Sequence, residues 1–183
     1  QIYFTCRHVS FRLWSKRTNS QPRAAGLPKL SQCKINLRRI FMAKKQKNIA
    51  VLISGNGTNL QSIIDHIKKG KLKCNLAVVI SNKADAYGLK RAEKAKIPNY
   101  FIDHKDISRE EHEKKIIEVL KKHNVDLVVL AGYMRIITPY FIGQYKNRII
   151  NIHPAILPAF PGTDGYGDTF NYGCKVGGCT VHF

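Results

Sequence analysis

The residues best suited to chemistry stand in the stretch "NIHP", Asn151–Pro154, directly after the apolar pair Ile149 and Ile150. Side chains alternate along an extended strand, so Asn151 and His153 point to the same side. An imidazole exchanges a proton near neutral pH, and an amide N–H donates to a developing oxyanion. Together they form a kit for acyl transfer, with Pro154 ending the strand and fixing the exit of the chain. The alternative is a capped strand end in which both groups are satisfied locally.

A second stretch, "SGNGTN" (Ser54–Asn59), separates an apolar run from a helical pattern. Gly55 and Gly57 allow the backbone to approach a ligand closely. The helix start that follows offers unpaired N–H groups and the positive end of a dipole. This is an anion site, phosphate being the usual occupant. The loop lacks the Gly-Lys-Ser/Thr ending of a nucleotide-binding P-loop. It also lacks the third glycine and the ribose-binding acid of a dinucleotide site. It could instead be a tight turn with Thr58 or Asn59 capping the helix. A third stretch, "AGYMRIITP" (Ala131–Pro139), could line a pocket for a flat ring whose edge is read by backbone groups. Ordinary core is the other reading.

These stretches must be held by the elements before them. Apolar runs at 48–54, 75–81, 98–103, 126–132 and 148–153 predict strands, and helical patterns fall at 59–70, 86–96, 108–124 and 138–145. Ser108 and Glu111 form a capping box, and Pro139 suits a first turn. Gly88 reads as a mild flaw in its helix. Continuous apolar strands alternating with helices predict an α/β domain: a doubly wound, mostly parallel sheet flanked by helices. Such sheets bind ligands beyond the carboxyl ends of their strands. The final "KVGGCTVHF" reads as one more strand.

The chain has 183 residues and a net charge of +19. Residues 1–41 hold nine basic and no acidic residues, so 22 basic residues stand against all 12 acidic ones in the remainder. That balance suits an anionic small substrate. No apolar run approaches the roughly 18 residues of a membrane span. The five cysteines form no Cys-x-x-Cys pair, so neither a zinc site nor a disulfide framework is indicated, and reduced thiols in the cytoplasm are expected. Residues 1–41 read as a disordered basic extension, either an organellar transit peptide or a stretch foreign to the native protein. Residues 42–183 read as the folded catalytic domain. A sheet protein seldom stops on the last residue of a strand, so the domain is expected to be incomplete at its C-terminus.

The segments "VLISGNGTNLQSIID", "VISNKADAYGLKRA", "LAGYMRIITP" and "IINIHPAILPAFPG", in this order, resemble the phosphoribosylglycinamide formyltransferases, from about Lys47 to Phe183. The resemblance implies a Rossmann-like formyltransferase fold lacking its C-terminal part. It also implies transfer of a formyl group from 10-formyltetrahydrofolate, as cosubstrate and without a metal, to the amine of glycinamide ribonucleotide. Carried over by position, Gly57, Thr58 and Asn59 would hold the substrate phosphate. Arg109, Met134, Arg135, Ile136, Ile137 and Asn151 would contact the folate. Asn151 would also steady the oxyanion, and His153 would be the catalytic acid. The family further uses an Asp a few residues after the "TVHF" strand to raise the pKa of that histidine. The sequence ends at Phe183, and Asp164 and Asp168 precede the strand, so little activity is expected of these 183 residues alone. The partners implied are the two small molecules, with no membrane and no nucleic acid. The alternatives are a formyltetrahydrofolate deformylase, in which water replaces the amine, and a basic nucleic-acid-binding protein.

Overall fold

A computed structural model describes Phe4–Thr5 and residues 46–162 and 164–183. The expectations for the rest of residues 1–41 lie outside the described residues. The strands are β1 (Phe4–Thr5), β2 (Lys47–Ile53), β3 (Cys74–Ser81), β4 (Asn99–Phe101), β5 (Leu127–Leu130), β6 (Ile149–His153) and β7 (Thr180–His182). The helices are α1 (Thr58–Lys68), α2 (Tyr87–Lys94), α3 (Arg109–Lys122), α4 (Pro139–Gln144) and α5 (Gly165–Asn171).

The sheet order is β1-β7-β6-β5-β2-β3-β4. The five strands β6, β5, β2, β3 and β4 are mutually parallel. β7 runs antiparallel to β6, and β1 antiparallel to β7. The parallel part of the sheet starts in the middle at β2, winds outward to β4, then crosses back to β5 on the other side. Strand order therefore reverses between β2 and β5, where such a sheet opens a crevice at its carboxyl edge.

Burial explains the continuous apolar strands. Ala50 and Leu52 of β2 pack on one face with Ile116, Ile117 and Leu120 of α3 and Phe141 of α4. Ile49, Val51 and Ile53 pack on the opposite face with Leu60 and Ile64 of α1 and Ala92 of α2. Each fully buried Leu or Ile contributes about 1.5–3 kcal/mol, so the sheet is held from both sides. The expected doubly wound class is the one observed. Two details differ. The final strand is confined to Thr180–His182, because glycines precede it. The helix α5 carries no apolar period and is opened by the Asp164 side chain, which accepts from the Gly167 N–H at 3.1 Å.

α3 begins with the expected capping box: the Glu111 N–H donates to Ser108 Oγ at 3.2 Å, and the Ser108 N–H donates to Glu111 Oε2 at 2.9 Å. One turn into α3, His112 is 1% exposed, with Nε2 at 3.0 Å from the Ile102 carbonyl. Burial holds its pKa below the ordinary 6.5; the Ile102 carbonyl and Glu113 oppose this, while Arg135 and His104 add to it. The folded state thus takes up this proton less readily than the unfolded chain. Above about pH 6.5 both states are neutral here and the full stability is present. As pH falls below that value the unfolded chain protonates first and stability declines until pH passes the lowered folded value. The urea midpoint should therefore drop more between about pH 7.5 and pH 5.5 in the wild type than in His112→Gln. Equal drops in both would remove His112 as the cause.

Candidate functional site

The loop between β2 and α1 starts from a buried polar network at the crevice. Ser54 Oγ donates to Asn82 Oδ1 at 2.6 Å and accepts from the Met134 N–H at 2.8 Å. The Ser54 N–H donates to the Gly132 carbonyl at 3.1 Å. Ser54 and Asn82 are each only 4% exposed. One hydroxyl thus joins the carboxyl ends of β2, β3 and β5.

Beyond it, Gly57 is the N-cap of α1, in the left-handed region at φ 66°, and no side chain caps this helix end. The alternative in which Thr58 or Asn59 caps the helix is therefore excluded. The N–H groups of Thr58 and Asn59 meet no protein acceptor among the described residues. Gly88 seats α2 against the loop: its N–H donates to the Gly55 carbonyl at 3.1 Å, and a Cβ there would stand 2.3 Å from Ile53 Cδ1. Gly88 is thus a close-packing requirement rather than a flaw, a consequence of the tertiary contact. Ser54 to Asn59, Ala131, Gly132 and Met134 line an open pocket of about 190 Å³. Free N–H groups at a helix start, without an acidic side chain in its first turn, favour an anion there.

Asn151 lies one strand further along. Leu52 pairs with Leu130, Leu130 with Asn151, and Asn151 with His182, forming a row across β2, β5, β6 and β7. Strands stand about 4.8 Å apart, so Asn151 is about 10 Å from β2. Asn151 Nδ2 donates to His182 Nε2 at 3.2 Å, while His182 Nδ1 lies 3.1 Å from the Phe183 carbonyl. With Asn151 Nδ2 donating, His182 Nε2 accepts and Nδ1 donates to the Phe183 carbonyl. These contacts leave Asn151 a second N–H to offer. His182 was missed in the sequence; period-two alternation on β7 was the signal available, but its partner strand was not legible.

His153 is 9% exposed, and its Nε2 donates to the Phe160 carbonyl at 2.8 Å. That carbonyl is brought back by a clamp. Thr180 Oγ1 donates to the Ala155 carbonyl at 2.7 Å and accepts from the Leu157 N–H at 2.9 Å. With Nε2 committed to a carbonyl, Nδ1 is the ring nitrogen left without a hydrogen-bond partner among the described residues. Both polar groups thus have a local partner, and each keeps hydrogen-bonding capacity unused among the described residues.

The remaining candidate residues sit around the loop after β5. Met134 and Ile136 are exposed, at 67% and 72%, whereas Ile137 packs against the core. The loop is tied to α3 through Glu113, which accepts from the Thr138 N–H at 2.7 Å and from the Thr138 hydroxyl. Arg135 is near enough to His112 to disfavour its charge. Arg109 is exposed at the first turn of α3, four residues before Glu113 and hence on the same helical face. Gly57, Thr58, Asn59 and Met134 share the pocket, and Asn151 and His153 occupy the neighbouring strand end; among the described residues Arg109 makes no hydrogen bond or ion pair to either group. Among the described residues no cluster of His, Cys, Asp or Glu could hold a metal ion, and no helix is long and apolar enough to cross a membrane.

The mostly parallel sheet, with the Ser54–Asn59 loop at its switch point and the Asn-x-His strand end beside it, is that of a formyl transferase: the chain belongs to this family, whose model matches residues 47–183. It is 49% identical over 138 residues to the phosphoribosylglycinamide formyltransferase of Haemophilus influenzae, covering 75% of this chain. It is 45% identical over 137 residues to that of Escherichia coli, covering 74% of this chain. The chain spans 65% of the length of each of these two relatives. It also matches the crystal structure of glycinamide ribonucleotide transformylase 1 from Symbiobacterium toebii, with a TM-score of 0.73 and 47% identity over 75% of this chain and 66% of that one.

Proposed function

We propose that this chain carries the substrate-binding and proton-transferring parts of a phosphoribosylglycinamide formyltransferase. The amine of glycinamide ribonucleotide attacks the formyl carbon of 10-formyltetrahydrofolate, and tetrahydrofolate leaves. The observation that carries this reading is the spacing of the two subsites. The uncapped loop at Gly57, Thr58 and Asn59 would hold the phosphate, and the Asn151 and His153 pair stands about two strand spacings away. That span suits a phosphoribosyl group with a short glycinamide arm.

In this reading Asn151 uses its second N–H on the oxyanion, and His153 Nδ1 exchanges the proton that moves as the tetrahedral intermediate collapses. Met134, Arg135, Ile136 and Ile137 would border the folate ring. Ile137, committed to the core, would act through its backbone. Arg109 would meet the acidic tail of the folate. Cys74, Cys174 and Cys179 are free thiols, which suits a cytoplasmic setting.

The test is product formation from the two substrates. Formylated glycinamide ribonucleotide should appear slowly with the 183-residue chain. It should appear faster when the C-terminal segment of the Escherichia coli relative is joined after Phe183. Formate released at the same rate without glycinamide ribonucleotide would mean hydrolysis instead. DNA binding that weakens steeply with salt, with no affinity for glycinamide ribonucleotide, would favour a basic nucleic-acid binder.

A further inference from the structure

We propose that Arg91 is a positioning residue of the anion subsite, fixing the peptide planes of the 55–57 loop so that their N–H groups face the pocket. The inference rests on the phosphate reading of that loop. Arg91 lies on α2, outside the pocket lining. Its Nε donates to the Asn56 carbonyl at 2.8 Å, and its Nη1 donates to Gln61 Oε1 of α1 at 3.2 Å. The guanidinium lies over the Tyr87 ring, 4.9 Å from its centroid, so it is braced from its own helix. Three residues before Arg91, the Gly88 N–H holds the Gly55 carbonyl at 3.1 Å.

Two consecutive carbonyls are therefore tied to α2. Both peptides are trans, because the only cis bond among the described residues is Leu157–Pro158. In a trans peptide the N–H points opposite to the carbonyl. Turning the Gly55 and Asn56 carbonyls toward α2 thus turns the N–H groups of Asn56 and Gly57 away from it, to the pocket side. Neither N–H has a protein acceptor among the described residues. With the helix-start N–H groups of Thr58 and Asn59 they make a continuous nest for an anion. Without Arg91 the Asn56–Gly57 peptide keeps no side-chain restraint, and a glycine at φ 66° leaves that plane free to turn.

The experiment is a titration of the full chain with inorganic phosphate, followed through backbone amide signals, for the wild type, Arg91→Lys and Arg91→Met. Urea unfolding of each variant checks its fold. In the wild type the amides of Asn56, Gly57 and Thr58 should shift. In Arg91→Met affinity should fall roughly tenfold, the loss expected for a charge-assisted hydrogen bond, with the urea midpoint little changed. Arg91→Lys keeps the charge but not the two-pronged geometry, so it should recover only part of the affinity, and the deficit should persist at high salt. Wild-type affinity in Arg91→Met would overturn the proposal while leaving the phosphate reading intact. Full rescue by lysine would assign Arg91 to the electrostatic field and overturn the positioning role. A wild type whose 55–59 amides ignore phosphate would remove both readings together.

Discussion

Replacing His153 by alanine should lower the rate of formyl transfer by about 10²–10⁴-fold, the usual contribution of a placed general acid or base, while phosphate affinity stays within about twofold. The prediction follows from how the ring is held. Nε2 is bound to the Phe160 carbonyl at 2.8 Å, and Thr180 clamps the intervening segment at Ala155 and Leu157. The imidazole therefore has one orientation, with Nδ1 as its working atom. The phosphate loop touches none of these groups, so binding and rate should separate. Removing a buried hydrogen bond also costs about 1 kcal/mol of stability, so urea midpoints must accompany the rates. The rate is best measured with the Escherichia coli C-terminal segment joined after Phe183, where turnover is expected to be higher. Retention of the rate within about threefold would exclude His153 as the proton-transferring group. Asn151→Ala in the same assay should lower the rate too, since it removes both the proposed oxyanion donor and the partner of His182.

The second large effect is expected from Gly57→Ala. A side chain at φ 66° costs about 1–2 kcal/mol, and the added Cβ would stand 2.8 Å from Gly88 Cα, a backbone atom that cannot step aside. Overpacking of that kind adds about 1–3 kcal/mol, so a loss of about 2–5 kcal/mol is expected together with at least about a tenfold loss of phosphate affinity. Gly55→Ala is the control for stability: a Cβ there meets nothing within 4 Å, so its urea midpoint should change little. If the two variants proved equally stable, the close approach of α1 and α2 at these glycines would be refuted.

What was legible in the sequence follows from what periodicity encodes. Continuous apolar runs such as Ala50–Ile53 and Val78–Ile80 state that both faces of a strand are buried, which is enough to predict a parallel sheet between helix layers. Strict alternation places Asn151 and His153 on one side of β6. The Ser108 and Glu111 pair, being local, was readable to the residue. Gly57 after a strand marks the loop, because its left-handed backbone at φ 66° favours glycine.

Which strand lies beside which is a long-range matter that no local pattern carries, and only the tertiary structure decided it. The order β6-β5-β2 puts the loop, Met134 and Asn151 along one edge. The antiparallel return of β7 sets His182 against Asn151 and Thr180 beside His153. Gly88, a poor helix former by propensity, is required because α2 meets the loop there. Arg91, one more basic residue among many in the sequence, becomes specific only when its guanidinium reaches the Asn56 carbonyl, 35 residues away. The sequence by itself determined the elements and the chemical groups at their ends. Packing between distant elements decided which of those groups face one another.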